Sequence, residues 1–253
     1  MTTKHVPRLY RELSKWYRLL TPVEDYKEEA EIYRTTLLRH ARRPVRTLLE
    51  LGSGAGHNAF YLKEAFQLTL VDRSREMLGL SEEINPDCQH LVGDMRDLRL
   101  GRGFDAVFFH DAVGHLTNES DLASAIETAY VHCAPGGVAL FCPDYTVETF
   151  KPGSVSGGSD GTDRAMRYLE WCTDPDPSDC KYTTEMVYIL RDGEAPVTVE
   201  HETWQMGLFS RAKWLELISA VGFSATTEPI VLAGNPTSGT EIFVGSICST
   251  LPG

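Results

Sequence analysis

The 253-residue chain has no excess of positive charge, no closely spaced cysteine pair and no apolar run of membrane length. Each absence removes a class of function. Lys and Arg total 24 against 36 Asp and Glu, a net charge of −12. Such a surface repels phosphate backbones and anionic headgroups, so neither nucleic acid nor a membrane is an expected partner. The six cysteines, Cys88, Cys133, Cys142, Cys172, Cys180 and Cys248, include no CxxC pair, and no His cluster has zinc-ligand spacing. No metal is therefore expected. Cys133, Cys142 and Cys248 lie in apolar runs and read as buried thiols, while Cys172 and Cys180 flank a turn and read as a reduced pair. The N-terminus shows no cleavable apolar signal and no stretch would span a bilayer, which points to the cytoplasm.

What is present is an ordinary globular composition, 42% hydrophobic and 24% charged, long enough for one large domain. Leu9, Leu13, Trp16, Tyr17 and Leu20 recur at helical spacing, so 5–42 predicts two helices broken at Thr21-Pro22. Strands follow at 46–51, 67–71, 88–92, 104–109 and 138–142, and helices at 58–66, 74–84 (N-capped by Ser74) and 119–133, with Pro135-Gly136-Gly137 read as a turn. That alternation specifies a parallel α/β sheet with right-handed crossovers. Then the pattern changes. Residues 151–162 read as a Gly/Ser-rich loop, and 164–173, 181–190 and 197–206 as three successive strands, hence an antiparallel β insertion. A helix at 210–220 and two final strands at 226–232 and 241–247, an antiparallel pair around a Gly/Pro loop, close the chain. The expected organisation is a single domain: an N-terminal helical cap (1–43), a core (44–150), the insertion as a lid (151–206) and the end of the core (207–253).

The first strand runs into Glu50-Leu51-Gly52-Ser53-Gly54-Ala55-Gly56. A Gly-rich turn at the carboxyl end of such a strand is where α/β sheets bind ligands, because glycine lets a ligand approach the backbone. A dinucleotide fingerprint needs a third Gly where this chain has His57, and a Walker loop needs a terminal Lys-Ser/Thr that is absent. Both phosphate-binding readings weaken. Asp72 ends the second strand, where a carboxylate can accept ribose hydroxyls. Gly93-Asp94-Met95 follows the third strand and His110-Asp111 the fourth.

The order acidic-Leu-Gly-x-Gly-x-Gly, Asp72, Gly93-Asp94-Met95, His110-Asp111 and Pro135-Gly136-Gly137 resembles the class I S-adenosylmethionine-dependent methyltransferases. The resemblance implies an α/β fold: a seven-stranded, mostly parallel Rossmann-like sheet with an antiparallel last strand, plus the antiparallel β insertion before the last helix. It also implies S-adenosyl-L-methionine as cofactor, held by Glu50, Gly52, Ser53, Gly54, Gly56, Asp72, Arg73, Met77, Asp94, Met95, His110 and Asp111. Within it, Asp94 would face the adenine amino group, Met95 would pack on the ring, and the His110 region would meet the methionine part.

Gly93-Asp94-Met95-Arg96-Asp97, Val113-Gly114-His115-Leu116 and Leu208-Phe209-Ser210-Arg211 are similar, more narrowly, to nucleotide-sugar N,N-dimethyltransferases. That similarity implies a small-molecule acceptor with an amine nitrogen. It places His115 and Tyr17 at the reacting centre and Tyr26 beside the substrate. The chain departs from the group at His110-Asp111, where small hydroxyl residues are usual, and at Pro143-Asp144-Tyr145, where tryptophans are favoured. His115 reads equally as a base or as a structural histidine. Tyr10 and Trp16 read as core residues. Asp144 and Tyr145, just past the fifth strand, are candidate acceptor contacts. An O-methyltransferase, a cofactor-binding module without turnover and a nicotinamide oxidoreductase remain alternatives. A homodimer is compatible with the surfaces that the cap and the insertion offer.

Overall fold

The computed structural model describes residues 6–230, 232 and 241–248. Five strands, β1 (Thr47–Leu51), β2 (Gln67–Asp72), β3 (Gln89–Val92), β4 (Phe104–Phe109) and β5 (Cys133–Phe141), form the parallel part of one sheet. A second sheet of four antiparallel strands follows: β6 (Gly153–Gly157), β7 (Arg164–Thr173), β8 (Lys181–Asp192) and β9 (Thr198–Gly207). The last pair, β10 (Ser224–Pro229) and β11 (Glu241–Ser246), returns to the first sheet. Its order is β10-β11-β5-β4-β1-β2-β3, with β11 antiparallel to both neighbours. This is the mostly parallel seven-stranded sheet with an antiparallel insertion that the sequence predicted.

Every residue of β4 is buried, which is why Phe104 to Phe109 shows no polar alternation. Helices cover both faces. On one, Tyr33 and Leu37 of α2 (Lys27–His40) and Ala59 and Leu62 of α3 (His57–Leu62) pack on Leu48, Phe108 and Leu140. On the other, Leu122 and Ile126 of α5 (Glu119–His132) and Trp214 and Ile218 of α6 (Arg211–Ala220) pack on Leu49, Val107 and Phe141. Side chains of Ser74, Asn118 and Ser210 accept the Met77, Asp121 and Lys213 amides and so start α4 (Arg75–Ile84), α5 and α6. Strand order reverses between β1 and β4. Their carboxyl ends therefore open a crevice at the centre of the sheet edge, the ligand position of open α/β sheets.

Four local expectations are corrected. The N-terminal segment is not a first long helix. It is a chain of single turns, Arg8–Tyr10, Ser14–Trp16, α1 (Tyr17–Leu20) and Val23–Tyr26, before α2. Leu9, Leu13 and Trp16 bury against Met166, Met186, Tyr188 and Leu190 of the second sheet, and the Arg8 and Leu9 amides donate to the Glu202 carboxylate. Packing on the second sheet, not helix propensity, sets this path. The Gly/Ser-rich segment contains β6 as a fourth strand, since a Cβ on Gly157 would lie 2.8 Å from the Tyr168 ring and only glycine permits that approach. Pro135-Gly136-Gly137 lies inside β5, where the register with β4 shifts. The strand expected at 226–232 runs Ser224–Pro229, and the Gly/Pro loop of 233–240 lies outside the described residues. Among the described residues no helix is long and apolar enough to cross a membrane.

Candidate active site

After Leu51 the chain reverses over Gly52, which sits at φ +77°. A Cβ there would lie 2.3 Å from Ala112 Cβ and 2.9 Å from Met95 Cε, so the loops after β1, β3 and β4 meet at a point where only glycine fits. Asp72, at the end of β2, holds the far side of the turn. Its Oδ2 accepts the Gly54 amide at 2.8 Å and its Oδ1 the Ser74 amide at 2.8 Å. Burial raises the Asp72 pKa, and those two amides oppose the rise.

These loops enclose a cavity of about 360 Å³. Its lining includes Gly52, Gly54, Asp72, Arg73, Met77, Asp94, Met95 and Asp111, eight of the twelve residues expected to hold a cofactor. Burial opposes ionisation of Asp94, but Arg96 outweighs it through Nη2 at 2.6 Å and Nε at 2.9 Å, holding the carboxyl below its usual range. Glu50, Ser53 and His110 line a smaller recess of about 30 Å³ beside it, with Tyr17, Tyr26 and His57. Gly56 lines none of these spaces. A Cβ there would meet Ser81 Oγ at 2.1 Å and Asn85 Nδ2 at 2.4 Å, so this glycine serves the close packing of α3 on α4.

The recess is polar and unsatisfied. Among the described residues Glu50 Oε2, Ser53 Oγ, His57 Nε2 and Asn58 Oδ1 are buried without a hydrogen-bond partner. Buried polar atoms of this kind call for a ligand, and a zwitterionic amino acid moiety would satisfy both their donors and their acceptors. Burial pushes the Glu50 carboxyl up to about 8, although the nearby His110 charge pulls the other way. Burial also takes the His57 imidazole down to about 4. A neutral buried histidine stabilises the fold fully above its ordinary value near ~6.5, and that stability is lost as pH falls toward 4. We expect His57→Leu to flatten this acid limb, by on the order of 3 kcal/mol between those limits, in urea unfolding followed at each pH. An unchanged limb would place the acid-sensitive group elsewhere.

A second cavity, of about 400 Å³, lies between the ends of β4 and β5 and the inner face of the four-stranded sheet. Tyr10, Tyr17, Asp111, His115 and Trp204 line both large cavities and form the wall between them. His115 Nε2 is 3.2 Å from the Tyr10 hydroxyl. Burial lowers the His115 pKa, leaving the imidazole neutral and able to accept a proton. Burial raises the Tyr10, Tyr17 and Tyr26 phenols, so all three are hydrogen-bond donors rather than bases. Burial alone would lower His110 too, but Asp111 and Glu29, each 3.2 Å from its ring nitrogens, keep it protonated. The rest of the second cavity carries Tyr26, Asp144, Tyr145, Glu170 and Tyr182. The expected site residues thus fall on one wall and its two sides, with Gly56 the exception.

Sequence reasoning missed Tyr10, Trp204, Glu29 and Glu170. Tyr10 was visible only as a ring seven residues before Tyr17. Trp204 and Glu170 come from the second sheet, whose docking no local pattern foretells. Trp16, 4% exposed, is core as expected.

A methyltransferase-domain family model matches residues 48–137. The chain is 30% identical over 224 residues to dTDP-3-amino-3,4,6-trideoxy-alpha-D-glucopyranose N,N-dimethyltransferase of Streptomyces venezuelae, covering 88% of this chain and 91% of that protein. The chain belongs to the class I S-adenosylmethionine-dependent methyltransferases, in the family of that enzyme. The methyltransferase is also 29% identical over 226 residues to dTDP-3-amino-3,6-dideoxy-alpha-D-glucopyranose N,N-dimethyltransferase of Streptomyces fradiae, covering 88% of this chain and 85% of the relative. Its fold matches the crystal structure of Streptomyces venezuelae DesVI with a TM-score of 0.80 at 24% identity, over 93% of this chain and 98% of the other. It matches S-adenosylmethionine-bound CalS10 of Micromonospora echinaspora, an amino pentose methyltransferase, with a TM-score of 0.76 at 22% identity, over 96% and 99%. S-adenosylmethionine is the methyltransferase's cofactor, and the unsatisfied recess beside the 360 Å³ cavity suits its amino acid end.

Proposed function

We propose that this methyltransferase alkylates the amino nitrogen of a nucleotide-linked amino sugar. The observation that carries the reading is the pair of cavities meeting at one wall, the second of them lined by Glu29, Asp111, Asp144 and Glu170. Carboxylates gathered in one cavity concentrate a cationic amine, and the phenols of Tyr26, Tyr145 and Tyr182 offer partners for sugar hydroxyls. The two dimethyltransferase relatives act, by their names, on dTDP-linked amino sugars.

The cofactor supplies a methyl group already activated on a sulfonium, so the protein's work is orientation and proton handling. In this reading Asp72, Arg73, Met77, Asp94 and Met95 seat the nucleoside. Glu50, Ser53, His110 and Asp111 take the amino acid end. Tyr17 closes the wall over the transferring carbon, and neutral His115 accepts a proton from the incoming amine. Tyr26, Asp144 and Tyr145 contact the acceptor. All six cysteines are free thiols, the state a reducing cytoplasm maintains, and we place the enzyme there.

The test offers S-adenosylmethionine with dTDP-3-amino-3,6-dideoxy-α-D-glucopyranose or a phenol of similar size. We expect N-methylated sugar and no methyl ether. Methylation of the phenol alone would replace this reading with an O-methyltransferase, and stabilisation by NADH but not by S-adenosylhomocysteine would remove both.

A further inference from the structure

We infer that Asp144 removes the proton from the newly methylated nitrogen while the sugar is still bound, so that one binding event accepts two methyl groups, a role that rests on the amine reading above. The chemistry creates the need. In the first transfer the nitrogen lone pair forms a C–N bond as the C–S bond breaks, leaving a secondary ammonium. That nitrogen has no lone pair. A second transfer requires a proton to leave it first, and a group beside the bound nitrogen can take it.

Most acidic or basic groups in the second cavity are already engaged. Glu29 Oε1 lies 3.2 Å from His110 and accepts Asn58 Nδ2 at 3.1 Å. Asp111 Oδ1 lies 3.2 Å from the other His110 nitrogen. Glu170 accepts from Cys172 Sγ at 3.5 Å on the opposite sheet. His115, facing the Tyr10 hydroxyl, has in the reading above already taken the proton of the incoming amine. Asp144 has no hydrogen bond or ion pair among the described residues, and its side chain is open to the cavity. A Cβ on Gly114 would lie 3.8 Å from Asp144 Oδ2, so the free carboxylate stands beside the turn that carries His115 in the dividing wall. It is therefore near where the methyl group crosses, yet not part of the cofactor cavity.

The surroundings suit it to the task. Glu29 and Tyr33 come from α2, His110, Asp111 and His115 from the loop after β4, Glu170, Cys172 and Tyr168 from β7, and Tyr182 from β8. Cys142 and Tyr145 flank Asp144 on its own segment. Only His110 brings positive charge, and Glu29 and Asp111 share it. Partial removal from bulk water inside the cavity, then the neighbouring Asp111 charge, raise the Asp144 carboxyl above the ordinary carboxylate range. Such a carboxylate takes a proton from an ammonium far more readily than an ordinary aspartate does. The balance is simple: Asp144 carboxylate and methylammonium become carboxylic acid and methylamine. The proton then passes to water at the cavity mouth.

The test counts methyl groups on dTDP-3-amino-3,6-dideoxy-α-D-glucopyranose by mass spectrometry, with the sugar in large excess and only its first few per cent consumed. The wild type is expected to give dimethyl product from the outset. Asp144→Asn is expected to release monomethyl product, lowering the dimethyl-to-monomethyl ratio about tenfold or more, with S-adenosylhomocysteine affinity unchanged. Raising the pH from about 7 to about 9 should restore the ratio in this variant, because solvent then takes the proton, whereas a merely structural defect would not respond. Asp144→Glu keeps the carboxyl and should keep the dimethyl product. An Asp144→Asn enzyme with the wild-type ratio, or an Asp144→Glu enzyme that folds but yields only monomethyl sugar, overturns the role of Asp144. A wild type that methylates no amino sugar overturns the amine reading itself.

Discussion

Gly52→Ala is expected to fold and to lose S-adenosylhomocysteine affinity by about a hundredfold. Two costs act at one atom. An alanine at φ +77° pays on the order of 1–2 kcal/mol for the left-handed backbone. Its methyl would also stand 2.3 Å from Ala112 Cβ, and overpacking of this kind costs ~1–3 kcal/mol. The loops carrying Gly52 and Ala112 are the ones able to part, because neither is a strand, and parting them opens the floor of the cofactor cavity. A loss of about 1.4 kcal/mol is tenfold in affinity, so the sum predicts a loss near a hundredfold. Calorimetric titration measures it directly. Affinity within threefold of wild type would show that the loops part without disturbing the seat, and would remove Gly52 from the binding residues.

The central sheet was legible because its inner strands are buried on both faces and its helices carry caps, both of which are properties of local sequence. β1, the turn after it and the end of β2 at Asp72 were placed in the fold for that reason. The failures share a cause as well. Leu9, Leu13, Trp16, Tyr17 and Leu20 have helical spacing, yet that spacing equally lets successive single turns press apolar side chains onto a sheet. What decides between them is Glu202, almost two hundred residues away, which takes the Arg8 and Leu9 amides. β6 was missed because Gly153 to Gly157 has no β-branched alternation, and its strand state comes from pairing with β7. Gly56 shares the regular glycine spacing, yet it lines none of the cavities. The structure gives that glycine to helix packing, with Asn85 Nδ2 donating to its carbonyl at 2.9 Å. The residues expected to hold the cofactor lie at the ends of consecutive strands and could be read in order. The second cavity is assembled largely from the N-terminal turns and the second sheet, so Tyr10, Trp204 and Glu170 became visible only together.

His115→Ala should lower kcat by about a hundredfold or more while leaving S-adenosylhomocysteine affinity within about twofold. Proton transfer by a positioned side chain contributes ~10²–10⁴ in rate, and it is the chemical step that would lose it. The cofactor cavity would keep its seat, because Asp72, Met77, Asp94 and Met95 reach it from other loops. The geometry also assigns a partner. The Tyr10 hydroxyl lies 3.2 Å from His115 Nε2 and its ring meets the imidazole edge-on at 5.4 Å, so Tyr10→Phe frees the nitrogen and loosens its orientation together. Its loss should be smaller than that of His115→Ala, and the double variant should be no worse than His115→Ala alone, because the hydroxyl acts only through the imidazole. The pH profile separates chemistry from packing. Burial lowers the imidazole pKa, so the wild type should stay active through neutrality and lose kcat only below about 6.5, as the imidazole takes up its proton. That acid limb should vanish in His115→Ala. If the variant retains both the wild-type kcat and the limb, His115 is a structural residue of the wall, and the incoming amine must lose its proton before it enters.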